Sequence, residues 1–288
     1  MTHLLSLSPT LIDVGDAQLS HRVMGDGPDV VFVHGWPLHG LTWRHVVQRL
    51  AEAGYRCHVF DLPGTGASKW TASTSFTIEA HAERLHRAVD HLGLSSFALV
   101  GHDSGATVSR HLAAALGDRV WANVVSGSEI PHHHPLLLKA MLAFGRLPGK
   151  RTGFRTLLRS RTLRRSTLGF GACFEDVDKA EGEFTELFAR PLLEDDRAID
   201  GQMGLVRDWD WAATDVLTEL HPHIKGPTLL LWGDKDPYFP ARHARRMASQ
   251  FGGGARFVSR PDARLFVHEE HPDWFAAQTA GFFAQAQA

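Results

Sequence analysis

Short apolar segments alternate with amphipathic segments along the first third of the chain. Residues 29–33, 56–60 and 97–100 are apolar toward both faces, which is typical of strands inside a parallel sheet. Residues 41–53 and 78–92 lie between these segments and carry apolar side chains at the spacing of one helix face. The pattern therefore predicts strands and helices in alternation.

The same alternation returns later in the chain. The segment 10–23 comes before the first of these strands and is typical of two short antiparallel strands around the turn signal Gly15-Asp16. The further predicted elements are a helix over 104–116, strands over 120–125, 228–232 and 255–259, and a final helix over about 272–285. Strands that alternate with helices predict an α/β fold, with a mostly parallel sheet and helices on both of its faces.

The region 130–220 interrupts this alternation. It contains several helix-like stretches, and its charges are divided: residues 146–165 include eight basic residues without an acidic one, whereas acids dominate from 175 to 219. One interpretation is that charged helix faces pair with each other or with water. The other is that basic side chains line a site for an anionic substrate. We expect this region to be an insertion between two strands of a core formed by residues 1–129 and 221–288.

The composition is that of an ordinary globular protein. The 288 residues are 43% hydrophobic and 22% charged, which excludes a disordered or collagen-like chain. A net charge of −2 gives no electrostatic reason to expect nucleic acid or an anionic membrane as the main partner. Two cysteines are too few for a disulfide framework, and the sequence shows neither a membrane-spanning stretch nor a secretion leader. The expected protein is soluble and cytoplasmic, and is a monomer or homodimer.

The segment 99–106, LVGHDSGA, carries the first candidate chemistry. A predicted strand runs into a predicted helix there, and Gly101 and Gly105 lie two residues before and after Asp103. Such a turn holds one side chain on an exposed tip, and the flanking glycines are required because a Cβ would clash. The neighbouring Ser104 lacks glycines at these distances, so the spacing selects Asp103 as the candidate nucleophile.

Three further motifs follow predicted strands. In HGWP (34–37), the backbone N–H of Trp36 is placed to form an anion-stabilising pocket with that of Ser104. The motif DLPGTGAS (61–68) indicates a structural turn. The motif WGDKDP puts Asp236 just beyond the predicted strand.

Taken together, these motifs resemble those of the α/β-hydrolase superfamily over nearly the whole chain. An aspartate at the turn is similar to the branch of epoxide hydrolases and haloalkane or haloacid dehalogenases. In that branch the carboxylate attacks an sp³ carbon to form an alkyl-enzyme ester, and a histidine oriented by an acid activates water to hydrolyse it. The resemblance implies an α/β-hydrolase fold with Asp103 as nucleophile and residues 130–220 as a helical cap. It also implies Asp236 as the acid, with Glu129 as the position that some dehalogenases use.

The sequence departs from this family at the position of the catalytic histidine. In the segment RLFVHEEHP, Leu265 stands where the family has the histidine, and leucine cannot accept a proton. One account brings His268 to the site through a shifted loop. A second recruits His34 or His102, which flank the oxyanion motif and the nucleophile. In the third, Asp103 acts without a base.

The features that separate the subclasses of this branch are not matched either. The resemblance implies two cap tyrosines for an epoxide hydrolase, but Tyr55 and Tyr238 both lie outside 130–220. Haloalkane dehalogenases have tryptophan directly after the nucleophile, where this chain has Ser104, which leaves Trp36 as a halide contact. Trp209 and Trp211 near the end of the cap are further candidates for halide contacts. Fluoroacetate dehalogenases carry arginines after the nucleophile, where this chain has Ser104 and Thr107.

Two functional hypotheses follow from these residues. In the first, the protein is a hydrolase that opens an epoxide or alkyl halide through Asp103, and the ester persists because Leu265 replaces the base. In the second, it is a lyase, isomerase or cyclase with Asp103 as general acid or base, or a ligand-binding protein. The expected partner is a small apolar molecule. No metal is expected at His132, His133 and His134, because adjacent histidines rarely face one ion, and no organic cofactor is implied by a nucleotide-binding motif.

Overall fold

The computed structural model describes residues 3–288, and a mixed sheet forms its centre. Within these residues the sheet has nine strands. They are β1 (Thr10–Asp13), β2 (Ala17–Met24), β3 (Asp29–Val33), β4 (Arg56–Asp61), β5 (Lys69–Trp70), β6 (Phe97–His102), β7 (Val120–Ser126), β8 (Thr228–Gly233) and β9 (Ala255–Arg260). Their order across the sheet is β1-β2-β4-β3-β6-β7-β8-β9, and β5 pairs with β2.

The sheet is parallel from β4 to β9 and antiparallel at one edge. The strands β1, β2 and β5 pair in antiparallel fashion, and β2 joins the parallel part through an antiparallel pairing with β4. Both β6 and β8 are buried along their whole length, which explains their continuous apolar sequence. The predicted mostly parallel sheet with an antiparallel edge is therefore confirmed. The strand β5 was not predicted, because two residues are too short to show a periodic pattern.

Helices cover both faces of the sheet. They are α1 (Arg44–Glu52), α2 (Ile78–His91), α3 (Ser104–Leu116), α4 (Leu136–Phe144), α5 (Lys150–Arg159), α6 (Arg161–Arg164), α7 (Arg190–Glu194), α8 (Asp196–Asp208), α9 (Ala212–Asp215), α10 (Leu217–Leu220), α11 (Ala241–Met247), α12 (Val267–Glu270) and α13 (Pro272–Ala286). Alternate side chains of β3 enter two different apolar clusters. Phe32 packs in the cluster that includes α1 and α13, and Val31 packs in the one that includes α2 and α3.

The helix predicted over 41–53 begins three residues late. A 3₁₀ turn over Gly40–Trp43 precedes α1. The Gly40 N–H donates to the Asp61 carboxylate (2.8 Å), and this bond ties the turn to the end of β4. A side-chain acceptor outside the helix therefore competes with regular helical hydrogen bonding at this end.

The chain between β7 and β8 is helical, with α4 to α10 and short 3₁₀ and π turns. Four of the basic residues of its first half pair with acidic residues further along: Arg151 with Asp200 (2.5 Å), Arg164 with Glu181 (2.6 Å), Arg165 with Asp178 (2.5 Å), and Arg155 with Asp196. This pairing supports the interpretation that charged helix faces meet each other. None of the helices in the described part of the chain has the length and apolar character that crossing a bilayer requires.

The candidate residues gather at one edge of the sheet. Because neighbouring parallel strands run in the same direction, the loops after β3, β6, β7 and β8 leave the sheet together. These loops carry Trp36, Asp103, Glu129 and Asp236. The topology therefore brings four distant segments of the sequence to one place.

Candidate active site

Asp103 lies on a strained turn between β6 and α3. Its backbone has φ 52° and ψ −137°, a conformation that residues other than glycine rarely adopt. A Cβ at Gly105 would lie 2.1 Å from the carbonyl oxygen of His34, and one at Gly101 would lie 2.6 Å from the Cα of Ala106. The glycines of the motif are therefore required, and the residue on the tip of the turn is Asp103.

One oxygen of the Asp103 carboxylate occupies the predicted oxyanion pocket. Oδ2 accepts the backbone N–H of Trp36 (2.9 Å), and the same N–H also points to the hydroxyl oxygen of Ser104 (3.1 Å). The Ser104 hydroxyl lies 3.4 Å from Oδ2. Oδ1 accepts no hydrogen bond from any residue of the described chain. The carboxylate is thus held by one oxygen and has the other free, which is the arrangement that a carboxylate nucleophile needs.

An apolar cavity of about 440 Å³ opens beside Asp103. Trp36, Phe239 and Leu265 line it from the loops of the sheet, while α4 and α5 line it from the chain between β7 and β8. The polar side chains along its wall are Asp103, Ser104, Glu129, Thr167, Cys173 and Tyr238. No lysine or arginine of residues 3–288 lines this cavity. The interpretation of the basic segment as a lining for an anionic substrate is therefore wrong, because four of its eight basic side chains pair with acids and none of the eight lines the cavity.

Asp236 uses one of its two carboxylate oxygens for hydrogen bonds. Its Oδ1 accepts the N–H groups of Tyr238 and Phe239 (2.9 Å each). Its Oδ2 is buried and has no partner among residues 3–288. Burial raises the pKa of Asp236 to about 7, with a smaller contribution from the charge of Glu129.

Leu265 lies beside this unpartnered oxygen. A Cβ built on Gly127 would lie 2.9 Å from Leu265 Cδ1 and 3.5 Å from Asp236 Oδ2, so both side chains flank the same point. Leu265 lines the cavity, whereas Asp236 does not. The leucine side chain thus lies near Asp236 Oδ2 and borders the cavity.

The three candidate replacement histidines bond elsewhere. His34 bonds to the carbonyl of Gly35 and accepts the N–H of Leu62 (3.0 Å each). His102 bonds to the carbonyl of Leu265 (3.1 Å). His268 bonds to the hydroxyl of Thr42 (2.7 Å). Burial lowers the pKa of His34 to about 4, that of His102 to about 3 and that of His268 well below its ordinary value. No histidine of residues 3–288 lines the cavity. These positions favour structural roles for all three side chains.

Glu129 faces the cavity from the loop after β7. Its Oε2 accepts the hydroxyls of Thr107 (2.7 Å) and Ser128 (3.0 Å), and the buried Arg110 donates to its backbone carbonyl (2.8 Å). Burial raises the pKa of Glu129. Burial also raises the pKa of Asp103 well above its usual range, and the charges of Glu129 and Asp236 add to this effect. The site therefore holds three carboxyl groups that oppose one another's ionisation.

Tyr238 and Cys173 are cavity residues that the sequence analysis did not identify. Tyr238 lies outside 130–220, as its position indicated, yet it lines the cavity from the loop that carries Asp236, and its hydroxyl bonds to the Cys173 thiol. The sequence feature that could have identified Tyr238 is its position two residues after Asp236. Trp36 donates its indole N–H to the carbonyl of Gln202 (3.0 Å), so that group is not free for a halide. Trp209 lines the cavity, but Trp211 does not.

The histidine triplet contacts protein groups. His134 bonds to the carboxylate of Asp215 (2.9 Å), and His133 bonds to the carbonyl of Tyr238 (3.1 Å). Across residues 3–288, no group of three or more His, Cys, Asp or Glu side chains is placed to hold a metal ion.

Replacing Asp236 by asparagine is expected to stabilise the protein at alkaline pH. The folded protein holds the Asp236 proton more tightly than the unfolded chain, because the pKa rises from 3.8 to about 7 on folding. Its contribution to stability is therefore complete below about pH 4 and is lost as pH rises to about 7. Between about pH 5 and about pH 8, the stability of D236N relative to wild type should rise by about 3 kcal/mol. Urea unfolding at the two pH values measures this change. The same substitution at the exposed Asp234 should leave the pH dependence as it is, and an equal effect of both would contradict the assignment.

The chain is similar in sequence and in fold to known proteins. Residues 28–272 match the family model described as alpha/beta hydrolase fold. Haloalkane dehalogenase 2 of Mycobacterium tuberculosis is 26% identical over 259 residues, which cover 88% of this chain and 87% of the relative. A pimeloyl-[acyl-carrier protein] methyl ester esterase of Vibrio vulnificus is 27% identical over 272 residues, covering 92% and 97%. A solved epoxide hydrolase superposes with a TM-score of 0.78 at 19% identity, covering 96% of this chain and 99% of that one, a likeness that concerns the fold alone.

Proposed function

This chain belongs to the α/β-hydrolase family, and from that premise we propose that it alkylates its own Asp103 with an apolar epoxide or haloalkane. The observation that carries the proposal is the geometry of Asp103. One carboxylate oxygen is fixed by the Trp36 N–H, the other has no partner in residues 3–288, and the side chain lies at the wall of an apolar cavity. A serine esterase would present a hydroxyl on the tip of the turn, where this chain presents a carboxylate.

The proposed first step is a substitution at an sp³ carbon. Asp103 Oδ1 forms the new C–O bond as the carbon–halogen bond breaks and halide leaves. With an epoxide, the ring C–O bond breaks and the ring oxygen takes a proton from the Tyr238 hydroxyl in the cavity wall. The Trp36 N–H holds Oδ2 through the step, and in this proposal the Trp36 and Ser104 amides later face the oxyanion that water would form on the ester.

The proposed second step, hydrolysis of the ester, is slow. Water attacks an ester at useful rates when a base removes its proton, and a positioned base typically accelerates such a step by about 10² to 10⁴. Leu265 supplies no base, and the acid behind it has no imidazole to orient. We therefore expect the alkyl-enzyme ester to accumulate.

Intact-protein mass spectrometry tests the proposal. The purified protein is incubated with 1,2-epoxyhexane or with 1-bromohexane, and its mass is followed over time. The expected result is a single adduct per chain, located by peptide mapping on the fragment that contains Asp103. The absence of any adduct with a panel of reactive epoxides and haloalkanes of different sizes would overturn the proposal.

A second candidate function rests on the protonation of the site. Burial and the charge of Glu129 raise the pKa of Asp103, so its carboxyl group retains a proton at a higher pH than usual. Such a group can act as a general acid in a lyase, isomerase or cyclase. Turnover without an adduct, and without incorporation of ¹⁸O from labelled water into Asp103, would favour this candidate over alkylation.

Replacing Tyr238 by phenylalanine is expected to separate epoxides from haloalkanes. The ring oxygen of an epoxide needs a proton as it opens, whereas a departing halide needs none. Burial raises the pKa of Tyr238, so its hydroxyl remains a donor in the cavity wall. The variant Y238F should form the epoxide adduct about 100-fold more slowly and the bromohexane adduct at a rate within about threefold of wild type. The adduct rates are read by mass spectrometry, with the core substitution Y55F as control. An equal loss with both substrates would show that Tyr238 only supports the structure.

A further inference from the structure

Exposed apolar side chains are concentrated on one part of the surface. Of the eight large apolar residues exposed in residues 3–288, five lie between residues 136 and 168. They are Leu136, Leu137, Phe144, Leu147 and Leu168, with exposures of 82%, 40%, 46%, 55% and 68%. We call these five residues the mouth patch. Large apolar side chains that are exposed together mark a contact with another molecule or with lipid.

The mouth patch is continuous with the catalytic cavity. Leu137, Phe144 and Leu168 are exposed to solvent and also line the cavity. The helix α4 has the sequence LLLKAMLAF, of which only Leu142 is buried. One side of this helix therefore faces the cavity, and the rest of its apolar surface lies around the opening.

The elements around the opening carry an excess of positive charge. Residues 130–174 contain nine lysines and arginines and no acidic residue. Four of the nine form ion pairs with acids further along the chain. The other five, which form no ion pair with any acid of residues 3–288, are Lys139, Arg146, Lys150, Arg159 and Arg161. They lie on or beside α4, α5 and α6, the three helices whose other side chains line the cavity.

We propose that the mouth patch docks on an anionic lipid surface, from which an apolar substrate enters the cavity. Apolar side chains around a membrane-facing opening insert at the interface, and the surrounding cations bind anionic headgroups. The overall charge of −2 conceals this local excess, because the acids that balance it lie elsewhere in the chain. The inference concerns where the substrate comes from and does not depend on the chemistry at Asp103.

Vesicle sedimentation tests this proposal. The protein is mixed with vesicles of phosphatidylcholine alone, or of phosphatidylcholine and phosphatidylglycerol, at low and at physiological ionic strength. Binding is expected for the anionic vesicles, and salt should weaken it. The variant R159Q/R161Q should bind about 25-fold more weakly, at about fivefold for each cation removed near the surface. The variant L136N/L147N should lose at least about tenfold.

Two control variants change exposed residues of the segment 1–129, outside the mouth patch. Lys69 is an exposed cation on β5 and Leu11 is an exposed leucine on β1. Neither lines the cavity, so K69Q and L11N should bind as wild type does. Lack of binding to anionic vesicles overturns the proposal. So does a concentration-dependent dimer in sedimentation velocity that L136N/L147N disrupts while vesicles remain unbound, since the patch would then be an interface between two copies.

Discussion

Replacing Leu265 by histidine is expected to turn slow ester hydrolysis into turnover. Leu265 lines the cavity and flanks the same point as Asp236 Oδ2, which is buried without a partner in the described chain. An imidazole at this position can donate one ring N–H to that oxygen and turn its other nitrogen toward the ester. The gain expected from a positioned base is about 10² to 10⁴ in the rate of hydrolysis.

The measurement for L265H is the decay of a preformed adduct. Wild type and variant are alkylated with bromohexane, freed of excess reagent, and followed by mass spectrometry as the adduct disappears. In labelled water, ¹⁸O should appear in Asp103 of L265H after repeated cycles, because water attacks the ester carbonyl. Hexanol should also exceed the amount of enzyme.

Two further variants show whether the gain in L265H comes from a base or only from a new hydrogen bond to Asp236. In L265Q the side chain can donate to Asp236 but cannot take a proton, so its adduct should decay as slowly as that of wild type. In L265H/D236N the imidazole loses its acid, and most of the gain should disappear. If L265H folds and alkylates normally yet hydrolyses no faster, the missing histidine is not the reason that the ester persists.

The unpartnered oxygen of Asp236 also affects the stability of the folded protein. A buried carboxyl group with one free oxygen and a raised pKa reduces stability at neutral pH. In L265H the imidazolium would favour the ionised carboxylate, so the pKa of Asp236 should fall. The pH dependence of stability due to Asp236 should then weaken, which connects the catalytic gain to an observable that does not involve substrate.

Local sequence patterns predicted the fold and the position of Asp103, because both depend on short-range rules. Buried strands need continuous apolar runs, and the turn at Asp103 needs glycines two residues to either side. The position of Leu265 opposite the acid was expected only from the resemblance, and its contact with the neighbourhood of Asp236 Oδ2 required the structure.

Other features depended on how distant segments pack. Tyr238 reaches the cavity although it lies outside the helical region, because its loop follows a strand of the sheet and points toward α4 and α5. The basic segment looked suited to an anionic substrate, but four of its arginines turn to acids some 13 to 49 residues away in the sequence. Sequence spacing does not encode the direction of such side chains.

Replacing Asp103 by asparagine is expected to abolish the adduct. An amide keeps the shape of the side chain and can accept the Trp36 N–H through its oxygen, so the turn and the cavity should persist. The amide lacks the carboxylate nucleophile, and loss of the nucleophile typically removes most of the rate enhancement, more than about a thousandfold. The adduct with bromohexane, measured over the time in which wild type reacts completely, should therefore not be detected.

The matched control is the neighbouring serine. We propose the backbone N–H of Ser104 for the oxyanion pocket, and S104A retains that group while removing the hydroxyl. Adduct formation in S104A should stay within about tenfold of wild type. The hydroxyl contact with Asp103 Oδ2 is long at 3.4 Å, and the Trp36 N–H that the hydroxyl also accepts (3.1 Å) keeps its bond to Oδ2. If S104A lost the adduct and D103N kept it, the alkylated group would be the Ser104 hydroxyl, and Asp103 would not be the nucleophile that we propose. Because the two residues are adjacent on the same turn, a general disturbance of the turn would affect both variants, and only a true nucleophile separates them.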